Sequence, residues 1–310
     1  MNQADGIVRN TMITGIDLFC GAGLWSHALA KAGMHVVCGI DADPVACMTY
    51  RANHPTTACI ESDIRDVDFD AFAGVDVVVG SPPCVTFSCG AGSARRDCDL
   101  ALHFARAVHA IRPQAFLLEN VPEFRTFPSY REMLRRLNSY VIYEYIADSA
   151  DFGVPQRRRR LFVIGASTML PTLGREPTRW RCALDILDPL APLNDIARLK
   201  ECTRRRISSV PETRFILVYY SSDARGWQSC QAPLRTVTTV NKFLLVDVSV
   251  GGARMLTEQE LRRAMDIPES YIILGNARQR LRQIGNAVVP SVACTMATIV
   301  RKALFDNFPS

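Results

Sequence analysis

The 310-residue sequence has no Cys-x-x-Cys pair and no apolar run near the length of a membrane span. A transmembrane helix needs about 18 consecutive apolar residues, so we do not expect a membrane protein. The eleven cysteines fall singly inside apolar segments, and the five histidines are not spaced as a ligand set. This pattern is typical of reduced, buried thiols and argues against disulfides and a structural zinc site. Residues 1–10 lack the apolar core of a signal peptide, so we expect a cytoplasmic protein.

Strong charge of one sign is also missing, because 36 basic and 31 acidic residues leave a formal net charge of +5. This balance permits a nucleic-acid partner without requiring one. Basic residues nevertheless cluster in two runs, QRRRR at 156–160 and RRR at 204–206. Such a run is either an ordinary solvated surface or a phosphate-binding patch, and the charge pattern alone leaves both readings open.

Apolar strand-like runs alternate with helix-like segments over the first half of the sequence. The strand-like runs are 13–19, 34–40, 75–80, 115–120 and 160–165, and the helix-like segments are 24–33, 43–53, 100–111 and 130–138. This alternation predicts an α/β fold with a doubly wound, mostly parallel sheet. After about residue 166, prolines and short strand-like runs predict a smaller mixed domain. Thr257 and Glu260 then form a capping-box pattern that predicts a further helix, and the last helix is predicted over 290–305.

Three successive predicted strands end in residues that could bind a nucleotide. The glycines of DLFCGAG at 17–23 let backbone amides approach a ligand at a helix N-terminus. Asp41 follows the second strand about 20 residues later, where an acid typically binds ribose, and Asp63 follows the third strand. The alternative reading is that these are ordinary loop acids. Leu24 stands where a dinucleotide site would have a further glycine, which favours a cofactor without pyrophosphate, such as S-adenosylmethionine.

Cys84 stands out among the cysteines, because GSPPCVTFS at 80–88 puts it behind two prolines after the fourth strand. Proline fixes the backbone dihedral φ, so the direction of this thiol is fixed as well. We interpret Cys84 as a nucleophile, although a lone cysteine is usually an inert core residue. Glu119 and Asn120 end the next strand, where Glu119 would supply a proton and Asn120 would orient either group.

In this order and spacing, the motifs resemble those of the DNA (cytosine-5) methyltransferase family, of the bacterial modification-methylase type. The resemblance runs nearly end to end and is carried by DLFCGAG, DAD, SDI, GSPPC, ENV, GVPQRRRR and RQIGNAVVP. It implies a Rossmann-like catalytic and cofactor-binding domain at 1–168 and a small target-recognition domain at 169–280. The segment 281–310 would return to the catalytic domain, and APLRTVTT at 232–239 would organise the recognition domain.

The resemblance also implies a mechanism in which a cytosine is flipped out of the DNA. Cys84 would attack carbon 6 of the base, and Glu119 would bind the ring nitrogen and the exocyclic amine. Arg158 and Arg160 would contact the base and stabilise the site, with Asn120 beside them. Carbon 5 would then accept the methyl group of S-adenosylmethionine. The residues that match cofactor-binding positions are Phe19, Gly21, Gly23, Leu24, Asp41, Asp63, Ile64, Pro83, Asn286 and Ala287.

Two residues depart from the family pattern. Val85 replaces the glutamine that usually follows the catalytic cysteine, which affects the closing loop or base-pair replacement. Leu24 replaces a glycine and is followed by Trp25, which would crowd the methionine end of the cofactor. The variable stretch 166–231 is short for a recognition region and suggests a short or relaxed target sequence.

The implied partner is double-stranded DNA, which would associate the protein with the nucleoid. The resemblance allows a cognate restriction endonuclease acting on the same site, and we expect a monomer. Alternatives are a transfer-RNA cytosine-5 methyltransferase, a non-catalytic DNA-binding relative and a dinucleotide-dependent oxidoreductase. The sequence lacks the Cys-Phe-Thr signature of the RNA branch, and Cys84 and Glu119 argue against a non-catalytic relative.

Overall fold

The computed structural model describes residues 12–83, 99–167, 169–171, 178–219 and 226–305, and the backbone of 85–86 and 96–97. Fourteen strands and eight helices lie in these ranges. The strands are β1 (Thr14–Leu18), β2 (His35–Asp41), β3 (Ala58–Glu61), β4 (Val77–Gly80), β5 (Val85–Thr86), β6 (Arg96–Asp97), β7 (Ala115–Asn120), β8 (Val141–Asp148), β9 (Arg159–Ala166), β10 (Asn194–Asp195), β11 (Arg214–Val218), β12 (Trp227–Ser229), β13 (Phe243–Asp247) and β14 (Gly252–Met255). The helices are α1 (Leu24–Lys31), α2 (Pro44–Asn53), α3 (Leu100–Ile111), α4 (Pro128–Arg136), α5 (Glu201–Ser208), α6 (Glu258–Ala264), α7 (Ala277–Asn286) and α8 (Pro290–Phe305).

The larger sheet has seven strands in the order β3-β2-β1-β4-β7-β9-β8. The strands from β3 to β7 pair in parallel, and β9 pairs antiparallel with both of its neighbours. This confirms the predicted doubly wound, mostly parallel α/β sheet. The edge strand β8 was not among the predicted strands, because its half-exposed side chains do not form a continuous apolar run.

The direction of the strands decides which residues meet. Because β1 to β4 and β7 are parallel, their carboxyl ends lie at one edge of the sheet, where α/β proteins bind their ligands. The antiparallel β9 brings its amino end, Arg159 and Arg160, to that same edge. In the β7–β9 register, Glu119 pairs with Phe162 and Asn120 pairs with Leu161. The two motifs ENV and QRRRR therefore end side by side.

The smaller sheet has five antiparallel strands in the order β10-β14-β13-β11-β12. Its strands alternate between two cores, as the twofold repeat of a strand requires. Ile216 and Val218 belong to the large core shared with α1 and α8, whereas Phe215 and Leu217 belong to a small separate core. The smaller sheet is thus packed onto the main body through one apolar face. The boundaries 168/169 and 280/281 stay predictions.

The predicted capping box is confirmed at α6, where the Glu260 amide donates to Thr257 Oγ1 and the Thr257 amide donates to the Glu260 carboxylate. The last helix is also confirmed, because α8 packs against α1 and β7. The stretch Ala277–Phe305 has the length and mean hydropathy, 1.4, of a membrane span, but 56% of its most apolar window is buried inside the protein. We therefore interpret it as a core segment.

Candidate active site

Glu119 lies at the carboxyl end of β7 and is only 4% exposed. The guanidinium Nε of Arg160 lies 3.0 Å from Glu119 Oε1. Arg160 is itself held by its Nη1, which donates to the carbonyl of Arg159 at 2.8 Å. The structure thus brings these two predicted residues together as an ion pair, while no hydrogen bond from the described residues reaches Glu119 Oε1.

Asn120, the last residue of β7, connects this strand to the segment that contains Pro82 and Pro83. Its Nδ2 donates to the carbonyl of Pro82 at 2.9 Å, and its Oδ1 accepts from the Val121 amide at 2.9 Å. Cys84 lies outside the described residues, so its role as nucleophile stays a prediction. The side chain of Val85 is also outside them. Pro83, a predicted cofactor position, is exposed at this edge.

Arg158 differs from the expectation that it contacts the base. It is 2% exposed, and its two Nη groups donate to the carbonyls of Val237, Gly285 and Ala287 at 2.9–3.0 Å. Burial, together with the nearby charge of Arg160, lowers the pKa of Arg158 to about 9, so the guanidinium stays charged at neutral pH. Arg158 thus connects the residues before β9 to the segment 232–239 and to the end of α7.

The segment 232–239 lies against the residues that precede β9. Gln156 is fully buried, and its Oε1 accepts from the Val237 amide at 2.7 Å while its Nε2 donates to the Ala264 carbonyl at 2.9 Å. The Leu234 amide donates to Pro155, and the Arg157 amide donates back to Leu234. These bonds account for two features of the motif QRRRR, the buried amide of Gln156 and the buried guanidinium of Arg158. They hold the smaller sheet to the catalytic edge.

We expect Arg158→Met to lower the free energy of unfolding by about 3–5 kcal/mol. The substitution keeps the side-chain bulk but leaves three backbone carbonyls without their donor, and each such loss costs about 1–3 kcal/mol. Urea denaturation measures the change, with the exposed neighbour Arg159→Met as the matched control. The control should stay within about 0.5 kcal/mol of the wild type. Equal stability of the two variants would contradict the structural role of Arg158 as the donor to these three carbonyls.

The run 156–160 does not form a free positive patch. Arg157 pairs with Asp148 at 3.0 Å and lies 5.1 Å over the ring of Trp180, while Arg158 is buried and Arg160 pairs with Glu119. Most of the charge in this run is therefore already committed to contacts within the protein.

The run 204–206 also makes contacts within the protein. Arg204 and Arg205 both pair with Glu201 one turn earlier in α5, at 2.5 and 2.9 Å. Arg206 turns to the smaller sheet, where its Nη2 donates to the carbonyls of Val218 and Gly226. Arg204 is half-exposed, Arg205 is exposed, and the two share the single carboxylate of Glu201, so the solvated surface and the phosphate-binding patch both stay open readings for this run.

Asp41 stands at the end of β2 with both oxygens bonded to backbone amides. Oδ2 accepts from Gly21 and Oδ1 accepts from Asp43, each at 2.8 Å. Burial raises the pKa of Asp41 from its ordinary value. The carboxylate thus connects the first glycine loop to the end of the second strand. The predicted contact of Asp41 with a ribose stays a prediction.

Asp63 is more exposed, and Arg65 occupies its carboxylate. The Arg65 amide donates to Asp63 Oδ1 at 2.9 Å, and the Arg65 guanidinium pairs with Oδ2 at 3.0 Å. The amide bond is the main reason that the pKa of Asp63 is lowered. The neighbouring Ile64 is 4% exposed, and its carbonyl accepts from Arg106.

The backbone of 19–24 forms a tight turn into α1. Phe19 and Gly21 have positive φ of 56° and 52°, and a Cβ on Gly21 would have no heavy atom within 4 Å. Gly23 has φ 88°, and a Cβ there would lie 2.7 Å from His54 Nε2, so only glycine fits. Leu24 is 3% exposed and packs in the large apolar core.

Two further predicted cofactor residues lie where α7 ends. Asn286 is the last residue of α7 and is exposed, and Ala287 accepts from Arg158 through its carbonyl. Gly285 precedes them, and a Cβ there would lie 2.5 Å from the backbone of Thr238. The glycine of RQIGNA is therefore needed for the close approach of the 232–239 segment.

The residues at this edge fit S-adenosylmethionine. Asp41 offers a carboxylate beside the Gly21 loop, whereas the carboxylate of Asp63 is shared with Arg65. Carboxylates suit ribose hydroxyls, amino groups and a cationic sulfur, and they repel a pyrophosphate. The open space above Gly21 leaves the loop accessible. The charge of the acceptors thus agrees with the reading drawn from Leu24, a cofactor without pyrophosphate.

Sequence reasoning missed Asp17, the first residue of DLFCGAG. It is fully buried, and its Oδ2 accepts from the Ser26 amide at 3.0 Å and from Ser26 Oγ at 2.8 Å. The Tyr50 hydroxyl lies 2.8 Å from the same Ser26 oxygen. No hydrogen bond reaches Asp17 Oδ1 from the described residues. The feature of the sequence that could have indicated Asp17 is an acidic residue inside the otherwise apolar run 13–19.

Burial raises the pKa of Asp17 from 3.8 to about 7, with Asp41 adding to the effect. The folded state therefore binds a proton that the unfolded chain has released, and stability falls as pH rises from about 4 to about 7. We expect Asp17→Asn to remove this dependence. The free energy of unfolding of the variant, relative to the wild type, should rise by about 2 kcal/mol from pH 5 to pH 7. Urea titrations at several pH values measure it, and a difference independent of pH would contradict it.

Comparisons with known proteins agree with this fold. Residues 13–180 and 188–302 match the family model for C-5 cytosine-specific DNA methylases. The chain is 28% identical to the Type II methyltransferase M1.HphI of Haemophilus parahaemolyticus, over 94% of this chain and 87% of the relative. It is 32% identical to the Type II methyltransferase M.Eco47II of Escherichia coli, over 91% of this chain and 77% of the relative. The crystal structure of the S. pombe Dnmt2 methyltransferase superposes with a TM-score of 0.68 at 18% identity, covering 96% of this chain and 100% of that one, and this likeness shows the fold.

The fold is therefore that of the Rossmann-like methyltransferases. The chain belongs to the C-5 cytosine-specific DNA methylase family. It is an enzyme that methylates carbon 5 of cytosine in DNA, which confirms the activity that the motifs implied.

Proposed function

We propose that the chain methylates a cytosine flipped out of double-stranded DNA, with Cys84 as the nucleophile and Glu119 as the acid. The observation that carries this assignment is the ion pair between the buried Glu119 and the partly exposed Arg160, next to Asn120, whose side chain binds the Pro82 carbonyl. A buried carboxylate that is paired with a cation and lies next to a segment leading into a cysteine supports covalent catalysis on a heterocyclic base.

In the proposed mechanism the thiolate of Cys84 forms a bond to carbon 6 of the cytosine. The π-electron pair of the C5–C6 bond shifts into the C4–C5 bond as N3 accepts a proton, and the resulting enamine is nucleophilic at carbon 5. Glu119 binds N3 and the exocyclic amine and brings the proton that N3 accepts. Arg160 keeps the carboxyl group of Glu119 in place. After methylation, loss of the carbon-5 proton restores the double bond, and the carbon–sulfur bond to Cys84 breaks.

We propose that S-adenosylmethionine, when bound, supplies the methyl group that carbon 5 accepts. Asp41 would bind the ribose hydroxyls, Asp63 with Ile64 would face the adenine, and Pro83 would lie beside the methionine part. Phe19, Gly21, Gly23 and Leu24 would offer the backbone of the loop before α1. Asn286 and Ala287 would close the pocket from α7, held in register by Arg158.

We propose a bacterial modification role, since the relatives M1.HphI and M.Eco47II are named Type II methyltransferases. A cognate restriction endonuclease that cuts the same site would be the functional counterpart. The protein would act as a monomer in the cytoplasm, associated with the nucleoid through DNA. The antiparallel sheet β10–β14 is our candidate for reading the target sequence.

Nucleoside mass spectrometry on duplex DNA of mixed sequence tests this function, with S-adenosylmethionine present and transfer RNA in parallel. We expect 5-methylcytosine in the DNA and none in the RNA. Omitting the cofactor should abolish the product. Methylation of the transfer RNA alone, or methylated adenine in place of 5-methylcytosine, would contradict the proposal.

A further inference from the structure

The segment Ser81–Pro83 follows β4 and directly precedes Cys84, so its position limits where the backbone of Cys84 can lie. Pro82 and Pro83 have no amide N–H, and the segment therefore cannot be anchored by donating at those two positions. It has to be held through its acceptors. The Pro82 carbonyl is held by Asn120 at 2.9 Å, from the acid strand β7.

The second acceptor is the hydroxyl of Ser81. Trp25 donates to it through its indole Nε1, at 3.0 Å, from the first turn of α1. Trp25 is 3% exposed, so this indole N–H has no access to bulk water in place of Ser81. The two residues are 56 positions apart in the sequence.

Trp25 is itself fixed by the strand that carries the arginines. Its ring meets Phe162 edge-on, with centroids 6.1 Å apart and planes at 77°. Phe162 is the cross-strand partner of Glu119 in the β7–β9 register. This aromatic pair therefore joins β9, the strand next to that of Glu119, to the residue that binds Ser81.

We propose that Trp25 is a positioning residue for the nucleophile-bearing segment, acting through the hydroxyl of Ser81. This inference rests on the proposed covalent function of Cys84. It gives the departure at positions 24 and 25 a role different from crowding of the cofactor, because both side chains point into the core. Small errors in the placement of a reacting group lower the rate of a chemical step far more than they lower binding.

A double-mutant cycle with Trp25→Phe and Ser81→Ala tests the proposal. The first variant keeps the ring on Phe162 and removes the N–H, and the second removes its acceptor. We expect each to slow covalent capture of DNA that contains 5-fluorocytosine, in single turnover, by about tenfold. The double variant should also be slower by about tenfold, because the two changes break one contact. The affinities for DNA and for S-adenosylmethionine should change by less than about twofold.

Two further variants separate positioning from a general loss of structure. Ser81→Thr keeps a hydroxyl and should restore most of the rate. Trp180→Phe removes a comparable indole bond, to Asp151 at 3.0 Å on the surface, and should capture DNA at the wild-type rate. Effects that multiply to about a hundredfold in the double variant would overturn the proposal. A weakened affinity for S-adenosylmethionine at an unchanged capture rate would overturn it too, in favour of cofactor crowding.

Failure of the proposed function gives a different result. If the wild type itself forms no covalent complex with the fluorinated DNA, the assignment of Cys84 fails before the cycle is measured. If the wild type forms it and Trp25→Phe forms it equally fast, only the role of Trp25 fails.

Discussion

Cys84→Ser lowers the single-turnover rate of cytosine methylation by at least about 10⁴-fold, because a serine hydroxyl is hardly ionised at neutral pH and cannot replace the thiolate that attacks carbon 6. The affinity for S-adenosylmethionine, measured by calorimetry, stays within about twofold of the wild type, since the predicted cofactor contacts come from other residues. Radiolabelled methyl transfer to duplex DNA measures the rate.

Cys89→Ser is the matched control, because it makes the same change five positions further along the same stretch. It should transfer methyl groups at the wild-type rate. A Cys84→Ser variant that still methylates at a rate near the wild type would show that the reaction needs no attack by this residue. Loss of cofactor binding in that variant would instead assign Cys84 a structural role.

Glu119→Gln lowers the methylation rate by about 10²–10³-fold, the usual contribution of a general acid. Glutamine has almost the same shape but brings no proton to N3 of the cytosine, and it leaves the guanidinium of Arg160 without its charge partner at 3.0 Å. Covalent capture of fluorinated DNA should slow in parallel, because attack at carbon 6 depends on the same proton.

Glu123→Gln is the control for this substitution, since Glu123 follows the same strand and is exposed. It should leave the rate within about twofold of the wild type. If Glu119→Gln slowed methyl transfer while capture proceeded at full rate, Glu119 would act after the attack and the proposed order of events would be wrong.

The larger sheet could be predicted because each of its central strands is a short apolar run bounded by a helix of amphipathic pattern. The pattern placed Asp41, Asp63 and Glu119 at strand ends, and parallel pairing then brings those ends to one edge. The direction of β9 could not be read from its residues, since an apolar run is the same in either direction. Only the pairing in the structure explains why Arg160 reaches Glu119.

Contacts between residues far apart in the sequence could not be predicted from it. Arg158 binds carbonyls 79 to 129 positions away, so nothing near it in the sequence indicates that its charge is buried. For the same reason, the sequence could not show how much of the charge at 156–160 and 204–206 is paired within the protein. Charge counts report which groups are present, whereas their availability depends on partners that folding brings together.

The role of Trp25 was read from the family pattern as crowding, because the sequence shows only that a large side chain follows the glycine loop. Its direction depends on the first turn of α1, where the backbone sends positions 24 and 25 into the core. The partner Ser81 carries no signal of its own beyond its place before two prolines.

The most direct test of Cys84 as the covalent nucleophile is the mass of the protein after incubation with 5-fluorocytosine DNA and S-adenosylmethionine. Tryptic mapping then locates the modification. Fluorine at carbon 5 cannot leave as a proton does, so the adduct persists. The peptide of residues 66–95 contains both Cys84 and Cys89, and fragmentation of it assigns the modified sulfur. We predict a methylated fluorocytosine adduct on Cys84. An adduct on Cys89 or on another residue, or methylated DNA with no adduct at all, would contradict the account.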